Sequence, residues 1–455
     1  MNPVRRLFQS RLRPAMLFGS VLGARVVGRV LGALTGILLA RVLGPAGFGQ
    51  LVGAMAVVAI GTPLLQGALD NAALWRLSRG NSTTFLRAVL GAKLWIGIAL
   101  IGILTLVGIP LSLPLLIGIL AVNALVCSLG GVILTWLVAR DQQAHAAVAE
   151  VSRSVGWLAA AAAVYVAGGG VVAAAATRAL ASVVVIGGVF FVVRRLADWR
   201  PTLKHQGDVL RSSSVFLASG LFFVIYQQAD RVMLLSMAGD VEAGRYGVAA
   251  NLVMVFYMLP GIFTTVFLPR MYRDAGDRSK ERRVLEVRLG TGLFLATCIV
   301  PLLVGFRVEL LTILYGADYA GSAPILLWLA GTILLRFVAI AYGDLITAAE
   351  RQGQRTLVQA GAAVLNIGLN LVLIPLYGAP GAAAATLASE TCLLIGYIVV
   401  VRRLGMPIRP KLLVPGALAC TGVTAAWLWQ PWIGAAALVA FAGATGYGVR
   451  RTLAS

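Results

Sequence analysis

Apolar runs long enough to cross a bilayer follow one another along almost the whole chain. They fall at residues 17–40, 50–68, 86–109, 114–139, 151–168, 171–193, 214–237, 246–268, 288–308, 322–349, 359–376, 382–400, 412–429 and 432–449. A helix needs about 20 predominantly apolar residues to span the hydrocarbon core, so the pattern predicts about 14 transmembrane helices. Spans of that number and length leave only short connections and no room for a folded extramembrane domain. With 59% of residues hydrophobic and 12% charged, a single water-soluble core has no place for so much apolar side chain. The expected class is an all-α polytopic membrane protein.

The chain carries 38 Lys and Arg against 17 Asp and Glu, a formal charge of +21. Most of the cations fall in alternate connections: Arg5, Arg6, Arg11 and Arg13 at the start, Arg140 and Arg153 between spans 4 and 5, Arg194, Arg195, Arg200, Lys204 and Arg211 between spans 6 and 7, Arg270, Arg273, Arg278, Lys280, Arg282, Arg283 and Arg288 between spans 8 and 9, Arg402, Arg403, Arg409 and Lys411 after span 12. The opposite connections are short and nearly uncharged, as at 110–113 and 377–381. The positive-inside rule therefore puts both termini in the cytoplasm and accounts for the basic total without nucleic acid. Arg25 and Arg29 interrupt the first run and no A-x-A-like site follows, so a retained first span is expected rather than a cleaved signal.

Several chemistries lack their groups. Cys127, Cys298, Cys392 and Cys420 lie in apolar runs without a CxxC pair, and His145 and His205 lie in polar loops, so no metal or redox site is expected. No G-x4-GK[ST] pattern occurs. No nucleophile, base and orienting group form a recognisable set. Neither a cofactor nor an enzymatic reaction is expected.

A modest internal repeat is visible. Span 1 leads into span 2 through LGPAGFG (Leu43 to Gly49), with Pro63 further on; span 7 ends at GDVEAG (Gly239 to Gly244), with Pro260 in span 8. Both turns have the form G-x4-G. The repeat predicts two pseudo-symmetric six-helix bundles, 1–200 (spans 1–6) and 201–411 (spans 7–12), with 412–455 as two additional spans. Repeat-built transporters bind substrate between such halves.

Four stretches now point to a family: LLARVLGPAGFG (Leu38 to Gly49), QQADRVMLL with EAGRYGVAANL (Gln227 to Leu235, Glu242 to Leu252), ILYGADYAGSAPIL (Ile313 to Leu326) and LNIGLNLVLIPLYGAPGAAAATL (Leu365 to Leu387). With these the chain resembles the polysaccharide-transport branch of the multidrug/oligosaccharidyl-lipid/polysaccharide exporter superfamily. The resemblance implies two bundles around a central cavity that opens alternately inward and outward. It also implies a lipid-linked oligosaccharide of the undecaprenyl-pyrophosphate type as cargo, and the bacterial inner (cytoplasmic) membrane as location. Membrane lipids, a polysaccharide polymerase and glycosyltransferases are the expected partners. A lipid II flippase or a drug/cation antiporter of the same superfamily are the alternatives. An integral-membrane glycan polymerase or glycosyltransferase is a rival from the enzyme class, but the longest outward connection is too short for a catalytic loop.

Nine ionisable residues lie within the runs and away from both interfaces: Arg25, Arg29, Lys93, Arg178, Asp230, Arg231, Arg336, Asp344 and Glu390. Each costs about 2.5–3.5 kcal/mol at mid-helix on insertion scales, which favours facing the protein interior. The excess of cations suits an anionic substrate such as a pyrophosphate better than an organic cation. Arg25 and Arg29 share one helix face; if span 1 starts at Leu17, Arg29 lies about 18 Å along it. They are candidate phosphate contacts, or interfacial anchors if the span starts later. Arg231 and Arg336 are further candidates, each against a structural ion pair. Lys93 and Arg178 are expected to snorkel. Glu390 can carry a proton or cation during the cycle, or hold an Arg of another helix permanently; Asp230 and Asp344 are weaker coupling candidates. Asn366 and Asn370, four apart, can hydrogen-bond between helices or contact sugar hydroxyls. Tyr226, Tyr257 and Tyr342 can stack on sugars or simply pack.

Overall fold

The computed structural model describes residues 3–77, 83–274, 276–406, 408, 410–430, 434, 436 and 437; side chains are described for these except at 3–22, 25, 75, 83, 212, 214–216, 218, 219, 222, 223 and 410–412. The described residues form helices and no strand. Nine of these helices are long and apolar enough to cross a membrane. This is a multi-pass membrane protein. The fourteenth apolar run, at 432–449, lies almost wholly outside the described residues.

The elements are α1 (Pro3–Gly61), α2 (Ala68–Leu77), α3 (Thr83–Val107), α4 (Pro114–Ala139), α5 (Gln143–Ala167), α6 (Val171–Val193), α7 (Gln206–Met237), α8 (Asp240–Arg273), α9 (Arg278–Gly305), α10 (Arg307–Tyr315), α11 (Ala323–Ala348), α12 (Gln352–Arg403) and α13 (Pro410–Trp429). Spans 1 and 2 run together as α1, broken where Gly44 takes φ 64°. Spans 11 and 12 run together as α12, broken where Gly378 takes φ 61°. Both breaks need a backbone conformation that glycine adopts without a Cβ clash. Span 2 ends earlier than its hydropathy suggests. Pro63 opens a 3-10 turn at Thr62–Leu64, and the chain restarts as α2, so the residues after Gly61 form a separate short helix.

Contacts divide the chain into two compact units, Met1–Gly244 and Arg245–Ser455. In the first, α1 packs on α5 and α7, α5 on α6, and α4 on α3 and α6. Its core includes Leu69, Phe85, Leu86, Val89 and Trp136, with Trp199 edge-on to Trp136 at 5.6 Å. The connection before α7 is fastened to α3: Arg87 donates to the carbonyl of Arg200 at 2.9 Å and pairs with Asp198 at 3.0 Å. In the second unit α11 packs on α12, and α9 on α11 and α13, around Leu285, Leu289, Tyr342, Leu345 and Tyr397.

Candidate functional site

The two G-x4-G turns meet within the first unit. A Cβ on Gly49 would lie 1.8 Å from the carbonyl oxygen of Asp240, and one on Gly244 would lie 1.9 Å from that of Pro45. Two backbones therefore cross at a distance only glycine permits. Gln50 fastens the rim of this crossing, donating from Nε2 to Asp240 Oδ2 at 2.7 Å.

Lys93 does not snorkel. It is fully buried and its Nζ bonds Asp70 Oδ1 at 2.6 Å and the carbonyl of Ser128 at 2.8 Å. The same Ser128 donates its hydroxyl to the carbonyl of Leu65 at 2.8 Å, the residue that closes the 3-10 turn after α1. Asp70 escaped the sequence reading because it lies just past the run ending at residue 68. The restart of the chain as α2 brings it beside α3.

In the second unit Arg336 on α11 and Glu390 on α12 come together, Nη2 to Oε1 at 2.5 Å. The Arg336 guanidinium also lies over the Tyr257 ring of α8, 4.7 Å from its centroid, and the Tyr257 hydroxyl bonds Thr332. For Glu390 the sequence leaves open a pair with an Arg of another helix; the fold supplies that Arg as Arg336. Asp344 pairs with Arg288, both almost wholly buried, and Arg288 Nη2 also donates to Thr264 Oγ1 at 3.1 Å. Arg288 had been read as part of a basic connection because it opens an apolar run, yet α9 starts ten residues earlier.

The remaining candidates are placed as follows. Asn370 donates to Asn366 at 3.1 Å, both buried on α12. Asp230 is buried and accepts the backbone N–H of Arg231 at 2.8 Å, whose guanidinium reaches Gln228 at 3.4 Å. Arg29 is exposed on the protein surface. Gly28 beside it faces Ser154 of α5, its Cβ position 3.4 Å from Oγ. The side chain of Arg25 lies outside the described residues. No three His, Cys, Asp or Glu side chains gather as a metal site among the described residues.

The family profile described as "Polysaccharide biosynthesis protein" matches residues 18–273, more than half of the chain. The chain belongs to this polysaccharide biosynthesis family. A curated relative, the capsular polysaccharide biosynthesis protein CapF of Staphylococcus aureus, is 23% identical over 176 residues, which are 38% of this chain and 44% of CapF. The match thus spans under half the length of that relative. Among solved structures, a lipid II flippase, MurJ, in an inward closed conformation superposes with TM-score 0.76 and 16% identity, covering 94% of this chain and 99% of that one. An inward-facing MATE-family multidrug resistance transporter of the MOP superfamily superposes with TM-score 0.69 and 14% identity, over 83% and 94% of the two chains. This member of the polysaccharide biosynthesis family therefore has the fold of those transporters.

Proposed function

We propose that this chain is a flippase. It carries a polyprenyl-(pyro)phosphate-linked oligosaccharide from the cytoplasmic to the periplasmic face of a bacterial inner membrane, for O-antigen or exopolysaccharide assembly. Both termini are cytoplasmic, and the bundles 1–200 and 201–411 move by alternating access, with 412–455 as an addition. The family and the MurJ-like fold support a lipid-linked cargo. The observation that carries the reading is the balance of buried charge. Asp70, Asp344 and Glu390 each face a cation, Lys93, Arg288 and Arg336 respectively. These acids are neutralised within the protein and leave arginine in excess, which suits an anionic headgroup and not an organic cation.

In this proposal Arg25, Arg29 and Arg231 contact the phosphates through forked, permanently charged guanidinium groups, and Asn366 and Asn370 contact sugar hydroxyls. Arg336 exchanges between Glu390 and the substrate, and protonation of Glu390 weakens its hold on Arg336. Asp230 and Asp344 are secondary coupling candidates. Energy comes from an ion gradient, the membrane potential or the substrate's own gradient. The test is replacement of Arg25 and Arg29 together by Ala. Membrane insertion should persist while lipid-linked glycan stops appearing at the periplasmic face. Undiminished translocation removes the two residues from the proposal. Efflux of cationic dyes from vesicles holding the purified chain would instead favour the antiporter.

A further inference from the structure

Trp157 of α5 has two arginines against its indole ring. The guanidinium of Arg178 on α6 sits 3.8 Å from the indole ring centroid, and that of Arg153 on α5 sits 5.1 Å from it. The indole is held in place from α6 and α4: its Nε1 donates to Ser182 Oγ at 2.8 Å, and Ser182 donates to Asn123 Oδ1 at 2.7 Å. Arg178 lies seven residues past the start of α6 and Arg153 ten past the start of α5, about 10 and 15 Å along their helices. The apolar runs start at 171 and 151, so Arg178 lies well within its run and Arg153 two residues past the start of its own. Arg178 had been expected to snorkel, and Arg153 had been assigned to a connection; instead both lean on the same ring.

Their charges are poorly compensated. Arg178 makes no ion pair among the described residues, and the nearest acid to Arg153 is Glu150, at 3.8 Å and half exposed. The Nε atoms of both arginines are buried without a hydrogen-bond partner. Like charges against one ring repel, and cation–π attraction offsets only part of the desolvation of two guanidinium groups. An anion between them would supply what the protein does not. Arg153 also borders a cleft between α4, α5 and α6 whose walls include Ile133, Leu134, Val185, Ile186 and Val189, so a ligand held there meets apolar surface beside the charge.

We propose that Arg153, Trp157 and Arg178 form a phosphate-binding site for the phosphate ester of a long apolar alcohol, separate from the Arg25, Arg29, Arg231 and Arg336 contacts. The proposal deepens the flippase reading and rests on it for the kind of ester. Trp157 fixes the plane of the Arg178 guanidinium, and the forked donors of both arginines receive the phosphate oxygens.

The test is equilibrium binding of radiolabelled polyprenyl phosphate to the purified full chain, with inorganic phosphate and the uncharged polyprenol as competitors. Arg153→Gln with Arg178→Gln should weaken polyprenyl phosphate at least tenfold, with the polyprenol competing poorly. Competition by millimolar inorganic phosphate would show that the anion alone is recognised; its failure to compete would show that the apolar chain is required. Where the double variant melts well below the native chain, Arg178→Lys keeps the charge but loses the planar stack, and a loss of at least twofold is expected. Native affinity in either variant, or polyprenol binding as tightly as its phosphate, overturns the site. Parallel translocation measurements separate the two claims. Native binding in the double variant alongside active glycan translocation by the native chain removes this site alone. Arg178-dependent binding by a chain that translocates no glycan removes the flippase reading alone.

Discussion

Arg336 and Glu390, 54 residues apart in sequence, meet at 2.5 Å between α11 and α12, with the carboxylate fully buried. A charge at such a position is compensated by its partner. Removing the partner leaves a charge in a place that cannot solvate it, whereas removing both charges leaves only a packing defect.

Arg336→Gln should therefore destabilise the second unit by about 3 kcal/mol or more, and Arg336→Gln with Glu390→Gln by much less. A double-mutant cycle on unfolding of the purified chain checks this. Additive losses would mean that the two groups do not act as a pair.

The same logic applies in the first unit with a different geometry. Lys93→Met strands Asp70 beside α3 and should cost about 3 kcal/mol; adding Asp70→Asn should recover part of the loss. The recovery is expected to be incomplete, because Lys93 also donates to the Ser128 carbonyl. Thermal unfolding of the three variants measures both effects.

At the crossing of the G-x4-G turns, Gly49→Ala and Gly244→Ala each push a methyl into opposing backbone, where no side chain can rotate away. Losses of about 1–3 kcal/mol or more are expected. Gly261→Ala, with nothing near its Cβ position, should be neutral or stabilising by up to about 1 kcal/mol through helix propensity. Comparison of melting temperatures separates crowding from propensity.

The N-cap of α9 sets a pH dependence. Hydrogen bonds from Ser279 and Lys280 hold the Asp277 carboxyl below the usual carboxylate range. A group whose pKa is lower folded than unfolded stabilises the fold above its unfolded pKa, and that contribution fades as pH falls through and below the carboxylate range. Asp277→Asn lacks this titration. Its stability deficit against the native chain should be constant at neutral pH and shrink on acidification; a deficit independent of pH down to strongly acid conditions would contradict the assignment.

Much of the architecture was legible because the bilayer imposes one length scale on every apolar run. The spans over α3 to α6, α9 and α11 coincide with their runs to within several residues, apart from longer starts to α5 and α9. What hydropathy did not show was continuity. Spans 1 and 2 are two helices joined without an intervening loop, because the non-helical backbone of Gly44 lets the second start where the first stops, and hydropathy has no term for backbone angles. The ion pairs were half visible. Lys93, Arg336, Asp344 and Glu390 stood out as charges inside runs, but pairing depends on which helices pack together. Asp70, Arg153 and Arg288 were hidden because each lies within a few residues of a run's edge, where sequence cannot distinguish an interfacial residue from a buried one. The G-x4-G turns were read as two copies of one pattern; that the copies touch could not be read from their similarity.

The meeting of Gly49 and Gly244 is electrically silent. Its centre holds peptide oxygens and α-carbons and no group that gains or loses a proton, so acidity and ionic strength leave that core of the junction alone. Charge lies at its margin, where Gln50 holds the carboxylate of Asp240.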